Sequence, residues 1–322
     1  MNNIKVSICC LAYNHEKYIA EAIESFLMQE TDFEYEILIH DDASTDKTAE
    51  IIREYQNRYP DIIKPIFQKE NQYSKGVKVG QLNRERAIGK YIALCEGDDY
   101  WNDQKKLQKQ VEFMEMNNEF SLCVHAAEKV KTNRKRINFI RPYQCDRICT
   151  TEELILGGGD MFATNSMFFK AKLVRSLPKF YNISPVGDYP LVIYLSLKGK
   201  VYYLDKVMSA YRIGVEGSWS QRVNNNTNNA IVHYNLMSEV MNELNVFTNY
   251  NFNAQINEVN YRRKLNILCM LRNFKEIKSG ELKNYFECLN PYKKIGIYIR
   301  CKAPNQYIVI KKLLRKIPLC KI

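Results

Sequence analysis

The chain has 322 residues, 46% hydrophobic and 12% aromatic, enough apolar material to bury one large core with a smaller appended module. No apolar run approaches the roughly 18 residues that span a bilayer, and the opening MNNIKVSICC lacks the layout of a secretory signal, so a cytoplasmic protein is expected. The net charge of +11 is localised: residues 1–290 hold 38 Lys and Arg against 36 Asp and Glu, whereas residues 291–322 hold nine basic residues and no acidic one.

In chain order, Lys5 to Cys10 reads as a strand, and Ile19, Ala22, Ile23, Phe26 and Leu27 then fall on one helical face. A second strand is expected at Tyr35 to His40, followed by an acidic turn and a helix through Ile52, Tyr55 and Tyr59 that stops at Pro60. Ile62 to Phe67 is a third strand, Asn83 to Ile88 a short helix, and Tyr91 to Cys95 a fourth strand. Successive βα units of this kind predict an α/β protein with a mostly parallel sheet covered by helices. Leu107, Val111 and Met114 mark another helix and Ser121 to Ala126 another strand. After the flexible break at Gly157, Gly158 and Gly159, strands are expected at Ser166 to Phe169, Lys200 to Leu204 and Val207 to Tyr211, with a helix at Leu191 to Leu197. An Asn-rich stretch near Asn224 separates a first domain, 1–223, from a helical, basic region, 224–322. Cys9, Cys10, Cys95 and Cys123 lie in apolar runs as small hydrophobes. The close pair Cys145 and Cys149 has no second pair or histidine at ligand spacing, which argues against zinc.

Three acidic clusters fall at expected strand or helix ends: His40-Asp41-Asp42-Ala43-Ser44-Thr45-Asp46, Glu96-Gly97-Asp98-Asp99, and Gly187-Asp188. In a parallel sheet all three share the carboxyl edge, where α/β folds bind ligands. Adjacent carboxylates repel, and a bound Mg²⁺ or Mn²⁺ relieves that repulsion while leaving sites for phosphate. Simpler roles exist: Asp98 capping the following helix, Asp46 as an N-cap, and Asp188 as an N-cap before Tyr189 and Pro190.

VSICCLAYNHEKYIAEAIESFLMQ, DDASTDKT and GKYIALCEGDDYW together resemble the first βα unit, nucleotide-binding turn and metal-binding strand end of the family 2 glycosyltransferases. The resemblance covers roughly residues 4–215 and implies the GT-A fold of nucleotide-diphospho-sugar transferases, a three-layer arrangement here followed by a helical C-terminal extension. It implies that Asp42 contacts the base, with the Ala12-Tyr13 backbone nearby, that Asp98 binds ribose or metal, and that Asp99 binds Mg²⁺ or Mn²⁺. Glu96 stands where the family usually has Asp and keeps the charge at the donor. Arg86 resembles a basic position near the nucleotide, Asp188 a general base, and Tyr211 to Ser220 a loop that closes over the donor with Arg212 at phosphate.

The chemistry is consistent with these roles: a cation stabilises the diphosphate leaving group, while one carboxylate takes the acceptor proton. One base with no carboxylate nucleophile implies inversion. The expected enzyme is an inverting hexosyl- or N-acetylhexosaminyl-transferase that uses a nucleotide sugar, with a UDP-sugar as donor. Its expected acceptor is a glycan or lipid-linked oligosaccharide of surface polysaccharide synthesis, with contacts in Gly157 to Ser166. The tail mixes bases with Ile295, Tyr298, Tyr307 and Leu313, which suits peripheral binding to an anionic membrane; a helix docked on the main domain is the other use of such a pattern. No recognisable nucleic-acid module accompanies that charge, so nucleic acid is not an expected partner. A nucleotidyltransferase that makes nucleotide sugars, or a non-catalytic nucleotide-binding scaffold at the membrane, are the alternatives. The former is expected to carry a Gly-rich basic loop where this chain reads CLAYNHEKY.

Overall fold

A computed structural model describes residues 4–218, 227–304 and 306. The chain divides into two compact units, Met1–Glu216 and Gly217–Ile322. The boundary expected at residues 223 and 224 lies outside the described residues.

The first unit opens with β1 (Ile4–Ala12), α1 (Ile19–Leu27), β2 (Glu34–Asp41), α2 (Thr48–Arg58), β3 (Ile63–Phe67), α3 (Val79–Glu85) and β4 (Tyr91–Leu94). It continues through β5 (Tyr100–Trp101), α4 (Lys106–Met116), β6 (Phe120–Lys131), β7 (Arg136–Ile140), β8 (Arg147–Cys149) and α5 (Thr151–Gly157). β9 (Phe168–Lys170), α6 (Lys179–Asn182), α7 (Asp188–Ser196) and β10 (Lys200–Ile213) complete it. The strands form one sheet in the order β3-β2-β1-β4-β9-β6-β10-β5, with β7 paired to β6 and β8 to β10. β1 to β4 run parallel, as do β6 and β10, while β9 enters antiparallel between β4 and β6.

Alternation along β1 builds the core. Val6, Ile8, Cys10 and Ala12 join Ile19, Ile23 and Phe26 of α1, Ile52 of α2 and Leu107 of α4 in one buried cluster. The intervening residues face the other side of the sheet, where a Cβ on Gly89 would lie 2.6 Å from the Ser7 nitrogen. Burial on both faces is why β1 reads as an unbroken apolar run. Lys106 is fully buried over the Trp101 ring at 4.0 Å and donates to Gln110, and burial lowers its pKa to about 7.

Several expected boundaries move. The two short strands expected after Lys200 are a single 14-residue strand, β10. The register shifts between Leu204 and Ser209 absorb the polar Asp205-Lys206 interruption, and Arg141 clamps Asp205 with two 2.6 Å bonds. α3 ends at Glu85, so Ile88 lies beyond it; its N–H donates to buried Glu36, and the chain turns tightly into β4. The strand expected from Ser166 begins at Phe168, after a turn of 3₁₀ helix at Thr164–Ser166. β5, β7 and β8 were not anticipated; they are short, and β7 is mostly exposed.

The second unit is helical: α8 (Thr227–Phe247), α9 (Asn253–Met270), α10 (Phe274–Ser279), α11 (Lys283–Cys288) and α12 (Pro291–Lys302). Leu265, Leu268, Ile277, Leu282, Phe286 and Cys301 form its core. Asn290 caps α12 by accepting from the Lys293 N–H, with Pro291 in the first turn. Among the described residues no helix is long and apolar enough to cross a membrane.

Candidate functional site

The loops after β1 and β2 are laced together. The chain leaves β1 through Asn14 in the left-handed region (φ 56°). The Asn14 side chain accepts from the Thr45 N–H at 2.8 Å, and its own N–H donates to Ser44 Oγ at 2.9 Å. The His15 and Glu16 N–H groups donate to Thr48 and Asp46 at 2.8 and 3.0 Å. Much of DDASTDKT therefore fixes this ledge, and Asp46 also accepts from the Thr48 N–H, although Lys47 and not Asp46 occupies the cap position of α2. The Asp42 N–H donates to the Ala12 carbonyl at 2.9 Å. Both Asp42 carboxylate oxygens accept backbone N–H groups, from Gln72 at 2.8 Å and Tyr73 at 3.0 Å. Its neighbour Asp41, which the sequence did not single out, keeps Oδ1 buried without a hydrogen bond, and burial raises its pKa. Tyr13 is exposed on the ledge.

Beside β1, the Gly97 N–H donates to the Leu11 carbonyl at 2.8 Å, setting residues 96–99 at the same sheet edge. A Cβ at Gly97 would meet Ile19 Cδ1 at 2.9 Å, His15 Nδ1 at 3.0 Å and the Leu11 carbonyl at 3.2 Å, so a larger residue here would push its neighbours aside. The Glu96 carboxyl has Oε2 buried without a hydrogen bond, and its pKa is pushed up to about 8, by burial first and then by Asp98 and Asp188. The Asp98 carboxylate lies 4.0 Å from His15 Nε2. Asp99 is fully enclosed: Oδ1 accepts the Arg212 N–H at 2.7 Å and Oδ2 accepts Asn165 Nδ2 at 3.0 Å. Burial, with Asp98 beside it, raises the Asp99 pKa well above the usual carboxylate range.

Asp188 is the first residue of α7, and Gly187 occupies the cap. Its Oδ1 accepts the Tyr189 N–H at 2.7 Å and its Oδ2 the Thr164 hydroxyl at 3.4 Å; burial raises its pKa. Thr164 bonds Asp188 and the next residue, Asn165, bonds Asp99, which brings the third cluster to the second, and Asp188 adds to the rise in the Glu96 pKa. A small recess lined by Gly158, Gly159, Met161, Phe162 and Tyr189 adjoins Asp188, within the segment expected to meet the acceptor.

The basic residues are held differently from the sequence expectation. Arg212 is 4% exposed; its guanidinium bonds Glu21 and the Asp98 carbonyl and lies over Tyr18 and Tyr100 at 4.6 and 5.2 Å. Committed to these partners, it is turned away from a phosphate role in this conformation. Arg86 bonds Asn83 Oδ1 and the Ile39 carbonyl, bracing β2 from beneath. Of the expected loop from Tyr211 to Ser220, residues 219 and 220 lie outside the described residues, as do residues 307–322 of the tail.

Mg²⁺ and Mn²⁺ take hard oxygen donors and commonly use one or two carboxylates plus substrate phosphates. The unpartnered oxygen of Glu96 with the neighbouring Asp98 fits that chemistry. Asp99 fits it less well, because the side chain is enclosed by the protein, with one N–H on each oxygen. Among the described residues no three His, Cys, Asp or Glu side chains are grouped to hold a cation by themselves. Cys145 is exposed and Cys149 buried.

Sequence reasoning missed His15 and Asn165. His15 carries an unpartnered buried Nδ1 beside Asp98, and its position just past β1 could have signalled it. Asn165 carried no local signal, since its role lies in bonds to Asp99, Ser209 and Ala210.

The pattern of glycosyl transferase family 2 matches residues 7–175. An uncharacterized protein of Mycobacterium tuberculosis is 34% identical over 218 residues, 66% of this chain and 60% of that protein. The chain thus spans about 60% of the length of the first curated relatives it matches. A Bacillus subtilis protein named as a teichuronic acid biosynthesis glycosyltransferase, TuaG, is 36% identical over 109 residues, 34% of this chain and 41% of that protein. The structure of S. aureus TarS in complex with UDP-GlcNAc superimposes with a TM-score of 0.58 at 18% identity, covering 95% of this chain and 81% of that one. At that identity the likeness concerns the fold, which is the GT-A arrangement with a helical C-terminal part.

Proposed function

Because the chain belongs to glycosyl transferase family 2, we propose that it moves a sugar from a nucleoside-diphosphate sugar, a UDP-sugar first, to an acceptor hydroxyl by single displacement with inversion. The observation that carries this reading is that Glu96, Asp98 and Asp188 share one edge, with Thr164 holding Asp188 and the adjacent Asn165 holding Asp99; after burial, Asp98 and Asp188 both raise the Glu96 pKa. Such mutual repulsion at a sheet edge is costly unless a ligand uses it.

The laced ledge of Ala12, Tyr13, Asp41 and Asp42 receives the nucleoside, with backbone groups and the unpartnered Asp41 oxygen as hydrogen-bonding partners. Glu96 and Asp98 stand at the diphosphate end; they would hold Mg²⁺ or Mn²⁺, which when bound would supply positive charge to the leaving group. Asp188 accepts the proton of the attacking hydroxyl. Its bonds to the Tyr189 N–H and Thr164 fix the carboxylate. The C–O bond to the acceptor forms on the face opposite the breaking bond to diphosphate, so the anomeric centre inverts. Incubation with a panel of nucleotide sugars, a lipid-linked glycan acceptor and Mn²⁺ is expected to release free nucleoside diphosphate and an inverted glycoside by NMR. Pyrophosphate exchange instead would identify a nucleotidyltransferase, and absence of both a binding scaffold.

The acceptor we propose is a glycan, lipid-linked during surface polysaccharide synthesis, in keeping with the name of the TuaG relative. Support for a membrane-facing acceptor comes from α12, which exposes Tyr292 (81%), Ile295 (56%) and Tyr298 (50%) among Lys293, Lys294, Arg300 and Lys302. Aromatic and aliphatic side chains interleaved with bases suit the interface of an anionic bilayer. Removal of residues 291–322 is expected to abolish co-sedimentation with phosphatidylglycerol vesicles while leaving neutral vesicles unbound throughout. Undiminished co-sedimentation would remove the membrane role.

A further inference from the structure

We infer that Asp99 is a positioning residue, which orients Asp98 through Arg212, rather than a cation ligand; the inference rests on the glycosyl-transfer reading of this edge. Asp99 sits at the centre of a closed hydrogen-bond network. Asn165, fully buried, donates through Nδ2 to Asp99 Oδ2 and to the Ala210 carbonyl, both at 3.0 Å. Its Oδ1 accepts the Ser209 hydroxyl at 2.6 Å, and its carbonyl accepts Trp101 Nε1 at 3.0 Å. Asp99 Oδ1 takes the Arg212 N–H at 2.7 Å. The network therefore pins the 3₁₀ turn at Thr164–Ser166 and the end of β10 to the peptide that follows β4.

From Arg212 the restraint returns to the acidic edge. The guanidinium donates to the Asp98 carbonyl and to Glu21, and Glu21 also accepts from Arg134 at 2.8 Å. Asp99 thus holds the Arg212 backbone, and the Arg212 side chain holds the Asp98 peptide, which sets where the Asp98 carboxylate points. Each Asp99 oxygen accepts one N–H and the side chain is only 2% exposed, so a cation reaching it would have to open the enclosing network, at about 1–3 kcal/mol for each buried donor left without an acceptor. Glu96 and Asp98 carry no such commitment through their carboxylates, and Glu96 has an oxygen to spare.

The test uses the full chain with three readouts: hydrogen exchange at the Arg212 amide, Mn²⁺ affinity in the presence of UDP by electron paramagnetic resonance, and transfer kinetics. In Asp99→Asn the new amide faces the Asn165 amide, donor to donor. Exchange at Arg212 is expected to rise and kcat to fall about tenfold, the size of one orphaned buried bond, with Mn²⁺ affinity changed less than about threefold. The double variant Asp99→Asn/Asn165→Asp reverses donor and acceptor across the pair and retains the Ser209 and Arg212 bonds but loses the bond to the Ala210 carbonyl, so it is expected to regain part of the lost kcat and protection. A ligand role would instead weaken Mn²⁺ binding by about thirtyfold or more in both variants, with Arg212 protection intact, and would overturn the inference. If Asp99→Asn fails to fold, Asn165→Ser probes the same network from its other side: loss of Arg212 protection with unchanged Mn²⁺ affinity supports the inference, and unchanged protection refutes it. Failure of the wild-type protein to transfer sugar would count against the function, whereas the exchange measurement judges the Asp99 network independently.

Discussion

Asp188→Asn is expected to lower kcat by about a thousandfold, within the range for losing a general base, while UDP binding persists. The carboxylate is held at the start of α7 by the Tyr189 N–H and Thr164, bonds that an Asn side-chain oxygen can keep in part. Burial raises the Asp188 pKa above that of an ordinary aspartate, so the folded state binds this proton more tightly than the unfolded chain does. Stability contributed at this position therefore falls as pH rises from the unfolded pKa through the folded one, and above that window the buried charge is a fixed cost. The same substitution is accordingly expected to raise the melting temperature at neutral pH, with the gain vanishing in acid where both states carry the proton. In the wild type, kcat/KM should drop as pH falls through the raised Asp188 pKa, and that acid limb should be absent from the residual activity of the variant. Loss of UDP binding in Asp188→Asn, or a kcat within about threefold of wild type, would remove Asp188 from the proton-transfer role.

Asp98→Asn is expected to weaken UDP binding in the presence of Mn²⁺ by about a hundredfold, equivalent to about 2.8 kcal/mol, with the melting temperature unchanged. The expectation follows from how this side chain differs from its neighbour. The carboxylate of Asp98 lies 4.0 Å from His15 and, among the described residues, accepts no hydrogen bond; its carbonyl, held by Arg212, is untouched by the substitution. Asp99 has the opposite character, with both oxygens in use inside the protein. Calorimetric titration of UDP with and without Mn²⁺ separates the two cases. An Asp98→Asn protein that binds UDP normally but melts early would place Asp98 in the scaffold instead.

Much of the first unit was legible because its strands and helices carry their own signals. β1, β2 and β4 are apolar runs buried on both faces, and α1 shows its buried stripe as Ile19, Ala22, Ile23 and Phe26. Parallel order among such units brings the ends of β1, β2 and β4 to one edge by itself, so Asp42 and Glu96 to Asp99 could be placed together without coordinates. The antiparallel insertion of β9 between β4 and β6 left no comparable trace. The strand itself was expected, at Ser166 to Phe169, but three residues of Phe-Phe-Lys show neither direction nor partner, and their pairing is decided by the strands on either side.

The candidate site divides in the same way. The sequence by itself determined which residue types stand at the edge: the carboxyls of Asp42, Glu96, Asp98, Asp99 and Asp188, at strand ends or a helix start where charge faces a ligand. Only the tertiary structure decided which of those oxygens are already satisfied. Asp42 is closed by N–H groups from Gln72 and Tyr73, and Asp99 by Asn165 and Arg212, partners 66 and 113 residues further along the chain. Whether a carboxylate holds protein or ligand depends on the donors that folding brings within about 3 Å of it, and that distance has no counterpart in sequence spacing.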